Sequence, residues 1–304
     1  MALNKKRTAL FLLILLFSLV ILWLYLSNVR GFFKDGEVNV LIKKADSGEK
    51  RALIIVDRLL KTMEFDVVED PDGAKRKYLE ADLETDQARK ELDRVISQMD
   101  ELRELKVPIW EKNYADLRIQ SVGTLIKALD GFDQWFSKME LVADFLKRTT
   151  AAQQKFSQGL EKINESIEDS NSRDYERAKA KASRGKQLFD ESQELLQEAG
   201  KMDKSAHLDP VLLTVSKALD FASLTIQLAE AGASGRTDEY NEIAQKAEDS
   251  KAEVLKDWKP EAIKNPKRWY SKKIRGLESS ITNYLAEAAE MRERATVLYK
   301  RSIR

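Results

Sequence analysis

The sequence predicts an all-α chain: a single N-terminal transmembrane helix followed by a long-helix bundle or an irregular helical-hairpin solenoid. Three observations carry this. The stretch between Arg7 and Arg30 holds no charged residue. Apolar residues through the rest of the chain recur in alternating steps of three and four, as a helix requires if one stripe is to stay buried. Only 12 Gly and 5 Pro occur in 304 residues, too few for strands joined by many tight turns.

The uncharged run, Thr8 to Val29, is long enough to cross a hydrocarbon core of about 30 Å at roughly 1.5 Å per residue. Trp23 and Tyr25 fall where the chain leaves the bilayer, the level that amphipathic rings favour. A cleaved signal peptide would have a shorter apolar region ending in a small-x-small site, and Leu26 to Arg30 offers none, so the run reads as a signal-anchor. Lys5, Lys6 and Arg7 abut the span and place the N-terminus in the cytosol and the following domain outside. The expected layout is therefore an anchor over residues 1–30 and an α-helical soluble domain over 31–304, at the cell membrane. A subdivision is expected near 201–210, where Gly200, a polar stretch and Asp209-Pro210 coincide.

Helix starts are read next. Val38, Val40 and Ile42 alternate like a strand, but with no partner strand in sight they read as a linker or a continuation of the membrane helix. Asp46 with Glu49 reads as a capping pair opening a helix at Arg51. Asp70-Pro71, Asp209-Pro210 and Asn265-Pro266 read as caps followed by Pro in the first turn. Ala88, Leu92, Val95, Met99 and Leu102 form one stripe, and Val122, Leu125, Leu129, Phe132, Phe136, Met139, Ala143 and Leu146 form another within a helix from Ile109 to about Lys147. The C-terminal stripe is Leu277, Ile281, Tyr284, Ala288, Met291, Ala295 and Leu298. Such seams suit antiparallel helices or a coiled coil. Self-association through Ile281, Tyr284 and Met291 is allowed, and packing within one chain is preferred. Ala178, Ala182, Gly185, Phe189, Ser192, Leu196 and Ala199 make a small-residue stripe expected in the middle of a bundle. Asp174-Tyr175 and Glu239-Tyr240 look alike at an offset of 65, but Lys-Ala-Leu-Asp recurs from 127 to 217 at an offset of 90, and a regular array should give one period. The tetratricopeptide pattern is not met, because the helix before Ala178 lacks its Trp, Leu, Gly and Tyr.

Chemistry is constrained by what is missing. There is no Cys and a single His, His207, which excludes disulfides, thiolate ligands and two-histidine zinc sites. Gly31 to Gly36 has phosphate-loop spacing but continues with Glu37 and Val38 instead of Lys and Ser or Thr. Asp70-Pro71-Asp72-Gly73 resembles part of a calcium loop, yet that register puts Val68 and Leu79 at acidic ligand positions, so it reads as a turn and cap. His207 reads as a loop histidine, and Asn164-Glu165-Ser166 as a glycosylation sequon inside a helix.

The net charge of +1 is unevenly spread. Residues 256–275 hold eight basic and two acidic residues with Trp258, Trp269 and Tyr270. Lys264, Lys267, Arg268, Trp269, Lys272, Lys273 and Arg275 are candidates for contact with anionic lipid headgroups, in a connection between helices. The competing reading has Trp258 and Trp269 plugging the end of the bundle. No catalytic or cofactor constellation is expected. The sequence reads as a non-enzymatic, membrane-anchored scaffold or protein-interaction protein. Its partners would be membrane lipid through the anchor and an unidentified protein, with nucleic acid disfavoured. The alternative is an extracytoplasmic helical-bundle ligand sensor.

Overall fold

A computed structural model describes residues 36–105, 109–202, 207–258 and 266–302. Among them are seven helices and no strand: α1 (Gly36–Met63), α2 (Pro71–Glu104), α3 (Ile109–Asn171), α4 (Tyr175–Met202), α5 (Asp209–Ala233), α6 (Thr237–Asp257) and α7 (Pro266–Ser302). Val38, Val40 and Ile42 are helical, with Val38 and Ile42 buried four residues apart and Val40 exposed. The start at Pro71 follows the sequence: Gly73 N–H donates to Asp70 Oδ1 at 2.9 Å, and Ala74 N–H to the Asp70 carbonyl at 2.9 Å. At α5 the cap differs from expectation. Asp209 lies inside the helix, and the capping position is Leu208, which offers no side-chain acceptor.

The chain divides into two compact units. Unit 1 contains residues up to Phe65, Arg76–Met139 and those from Ile274 onward; unit 2 contains Asp66–Lys75 and Glu140–Lys273. Residues 201–210 lie inside unit 2, and α3 contributes its first half to unit 1 and its second half to unit 2.

Unit 1 is held by the stripes of α1, α2, α3 and α7. Ala88, Leu92, Val95, Met99 and Leu102 are all fully buried, as are Val122, Leu129 and Phe132 of α3. Trp135 meets Tyr78 edge-on at 5.6 Å and Phe136 at 5.3 Å. Burial of one such large side chain stabilises by about 1.5–3 kcal/mol. The stripe of α7 is turned from the one the sequence suggests. Ile281, Ala288 and Ala295 are buried as expected, but the stripe continues through Leu285, Arg292 and Tyr299, while Leu277, Tyr284, Met291 and Leu298 are only half-buried. The seam is used within the chain: a Cβ on Gly131 would lie 2.7 Å from Ile281 Cγ1, and Thr124 Oγ1 reaches Met291 Sδ at 3.9 Å.

Unit 2 packs in sequence order, with α4 on α5 and α5 on α6. The whole small-residue stripe of α4 is buried. It brings helix backbones close: Ser192 Oγ donates to the Ala152 carbonyl at 2.8 Å, Ser166 Oγ to the Ala178 carbonyl at 2.7 Å, and a Cβ on Gly185 would sit 3.1 Å from the Gly159 carbonyl oxygen. Helix α5 is long and apolar enough to cross a membrane, with a mean hydropathy of 1.4. Ten of its residues are buried, including Val215, Phe221 and Leu228, so a core position between α4 and α6 accounts for that apolarity.

The hairpins α3–α4 and α5–α6 are equivalent at an offset of 62, seen as residue pairs 172 and 234, 173 and 235, 174 and 236. In the first turn Ser172 N–H donates to Glu168, Arg173 to Ser170 and Asp174 to Asp169. In the second, Ser234 donates to Glu230, Gly235 to Gly232 and Arg236 to Ala231. Both serine hydroxyls also donate back, to Glu168 O at 3.0 Å and Glu230 O at 2.8 Å. An ion pair crosses each hairpin at the same offset, Lys155–Glu191 at 2.6 Å and Lys217–Glu253 at 3.1 Å. Tyr175 and Tyr240, which look equivalent in sequence, are instead ring neighbours with centroids 6.3 Å apart.

Both turns end a helix with a left-handed residue that lets the last carbonyls find donors. Gly235 does so at φ 70° without strain, whereas Arg173 does so at φ 65° against its own Cβ. Arg173→Gly should therefore stabilise by about 1 kcal/mol and Gly235→Ala destabilise by about as much, measured by denaturant unfolding. Destabilisation by Arg173→Gly, or no loss in Gly235→Ala, would show that the two left-handed positions are not equivalent.

Candidate functional site

Three helices of unit 1 each place a charged residue where their apolar stripe should continue. In α1 the buried series runs Val38, Ile42, Ala45, Glu49, Ala52, Val56 and Leu59. In α3 it runs Ala115, Arg118, Val122 and Leu125, and in α7 Leu285, Ala288, Arg292 and Ala295. Glu49, Arg118 and Arg292 are 3%, 5% and 8% exposed, so all three side chains are taken out of water. Such groups persist only if paired and hydrogen-bonded.

They are paired with each other. Arg118 Nη2 donates to Glu49 Oε2, and Arg292 Nη1 donates to Glu49 Oε1 at 3.2 Å. Arg118 Nη1 donates to Asp46 Oδ1 at 2.8 Å and to the Tyr114 hydroxyl at 2.6 Å. With Asp46 included, two carboxylates face two guanidinium groups, and the buried carboxylate of Glu111 lies near Tyr299. Asp46 and Glu49 are thus not a helix cap. Both lie inside α1, and the spacing of three that suggested a cap puts both on the face toward Arg118.

Aromatic rings close the layer. The Tyr114 ring centroid is 5.6 Å from the Arg118 guanidinium carbon and 5.5 Å from the Tyr299 ring, and Trp110 lies 6.0 Å from Tyr299. Burial pushes the Tyr114 and Tyr299 hydroxyls well above their ordinary range. Burial also pushes the Glu49 carboxyl up, but Arg118 and then Arg292 outweigh it and hold it below its ordinary value of 4.5. A carboxylate held low, with both oxygens occupied, is no proton acceptor near neutrality. The arrangement suits fixing helices against one another. Among the described residues, no group of three His, Asp or Glu side chains is placed to hold a metal ion.

The residues singled out from sequence are placed as follows. Thr8, Trp23, Tyr25, Val29 and Lys264 lie outside the described residues. Lys267, Arg268, Trp269, Lys272 and Lys273 belong to the first turns of α7, with their side chains outside the described part, and Arg275 is exposed on the same helix. The basic stretch from Lys267 onward is therefore helical and not a connection. Trp258 stacks on Phe156 with centroids 3.6 Å apart, which matches its reading as a packing residue. His207 is an exposed residue of the α4–α5 connection at φ 48°. Ser166 of the sequon is fully buried.

The layer has a sharp energetic signature. Glu49→Gln removes the carboxylate that the two buried guanidinium groups share, leaving Arg118 with half-exposed Asp46, and should destabilise by about 3–5 kcal/mol. Glu49→Leu combined with Arg118→Met and Arg292→Leu should recover most of that loss, because the three buried charges are removed together and half-exposed Asp46 stays hydrated. Because the folded pKa of Glu49 is depressed, its contribution is complete above 4.5 and is lost as pH falls through the lower folded value. The stability gap between wild type and Glu49→Gln, measured by urea unfolding, should therefore hold constant above pH 5 and narrow below about pH 4.5. A gap independent of pH would mean that Glu49 titrates alike in the folded and unfolded chains.

No protein-family model, curated protein or solved structure matches the chain.

Proposed function

We propose that the chain is a non-enzymatic, single-pass membrane-anchored scaffold that presents its helical surface to protein partners outside the cytosol. One observation carries this reading. The buried stripes of α1 to α7 are spent on neighbouring helices, and the charged residues inside unit 1 are spent on each other. What faces outward among the described residues is predominantly charged, and the exposed large apolar side chains include Ile54, Leu83 and Leu213. A surface of that kind suits polar, electrostatically steered protein contact. The uncharged run from Thr8 to Val29 supplies the anchor, and the Lys5-Lys6-Arg7 cluster sets its orientation.

Because the chain has no Cys, Ser302→Cys supplies a single reporter near its C-terminus. Intact cells should label with a membrane-impermeant maleimide, and labelling only after permeabilisation would reverse the orientation. Crosslinking in membranes followed by affinity capture should recover discrete proteins. Capture no better than a control carrying the anchor alone would remove the scaffold reading.

A further inference from the structure

Unit 1 carries a second charged constellation that the buried layer does not use. Between α1 and α2 lies an open depression of ≈ 310 Å³ lined by Arg51, Ile55, Gln87, Lys90, Glu91 and Arg94. Its origin is a close helix approach. A Cβ on Gly48 would lie 3.0 Å from Val95 Cγ2, so α1 comes near enough for Arg51 to reach across to Glu91.

Glu91 organises the lining. Arg51 donates to Glu91 Oε2 from Nε at 3.0 Å and from Nη2 at 2.7 Å, while Arg94 Nη1 donates to Glu91 Oε1 at 2.8 Å. Ser47 Oγ accepts from Arg51 Nη1 at 2.7 Å and fixes that guanidinium further. The carboxylate is largely covered at 17% exposure, whereas Arg51 and Arg94 are open at 54% and 65%. Lys90 is exposed in the same lining, and Asp86, one turn before it, is outside the lining. Three cations over one carboxylate leave a net charge of +2 beside the apolar wall of Ile55.

We propose that this depression binds a phosphomonoester group. A phosphate monoester carries close to two negative charges at neutral pH, which matches the excess in the lining. Its oxygens accept from guanidinium groups in the planar geometry that Arg presents and Lys does not. The carboxylate already holds both arginines in place, so little ordering is left for the ligand to impose. The monoester comes either from a soluble phosphorylated compound or from a lipid headgroup of the phosphatidic acid type. The site is independent of the scaffold reading, which needs no small ligand.

The test uses the full chain in detergent and calorimetric titration with two probes, inorganic phosphate and a short-chain phosphatidic acid, with short-chain phosphatidylcholine as the lipid blank. Wild type should bind at least one of the two anionic probes saturably. Lys90→Gln and Arg94→Gln should each weaken binding about tenfold, the size of a lost hydrogen bond to a charged group. Arg94→Lys should lose less than Arg94→Gln, and Lys138→Gln, an exposed lysine elsewhere in unit 1, should change nothing. Binding of inorganic phosphate supports the site with a soluble source, and binding of phosphatidic acid alone supports it with a lipid source. No saturable binding of either probe, or an equal loss in Lys138→Gln, overturns the proposal. Because Lys90 and Arg94 are exposed, their variants should melt with wild type, which separates loss of binding from loss of fold.

Discussion

Glu49 occupies a place in the stripe of α1 where the helical period would otherwise put another apolar side chain. Stripping water from that carboxylate is costly enough that the rest of unit 1 must answer it. Arg118 and Arg292 do so from two other helices, at sequence separations of 69 and 243 residues. The consequence is register. Moving α3 or α7 by one residue would turn its arginine out of the layer and leave Glu49 buried with half its partners. An all-apolar stripe would tolerate such slips far better, because one Leu or Ala substitutes readily for another. The layer therefore contributes less to the depth of the native minimum than to its uniqueness, a role best attested for buried polar groups in helical assemblies.

Unit 2 reaches definition by another route. There the helices come close because α4 presents Ala178, Ala182, Gly185 and Ser192, and short serine-to-carbonyl bonds lock adjacent helices. Tight backbone approach restricts alternatives sterically, as paired charge does in unit 1. Two equivalent hairpins at an offset of 62 share their turn bonding and one cross-hairpin ion pair, while their core residues differ, Phe156 against Ala218 and Gly159 against Phe221. Backbone geometry at the turns, more than side-chain identity in the core, is what the two hairpins have in common.

Much of this was legible in the sequence. The stripes of α2, α3 and α4 could be read directly because nearly every member is apolar or small, and Asp70 and Pro71 mark a real start. The buried layer could not. A pattern that seeks apolar residues scores Glu49, Arg118 and Arg292 as surface, and so turned the α7 stripe toward Tyr284 and Met291 and away from Leu285 and Tyr299. The signal that was available is subtler: each of the three charges interrupts an otherwise unbroken series of buried positions. The repeat was missed because Tyr175 and Tyr240 suggested an offset of 65, whereas the shared features are backbone bonds that no side-chain match reveals. For the basic stretch the two prolines point to a connection while Asn265-Pro266 points to a helix start, and the helix beginning at Pro266 bears out the second signal.

The most direct measurement of the register role is native-state hydrogen exchange of wild type and Glu49→Gln, read at the amides of α1 around Glu49, α3 around Arg118 and α7 around Arg292. If one shared layer fixes the three helices, their slowest amides exchange through a common opening in wild type and lose protection together, by similar free energies, in the variant. Loss confined to α1, with α3 and α7 as protected as before, would contradict the layer as the element that unit 1 depends on.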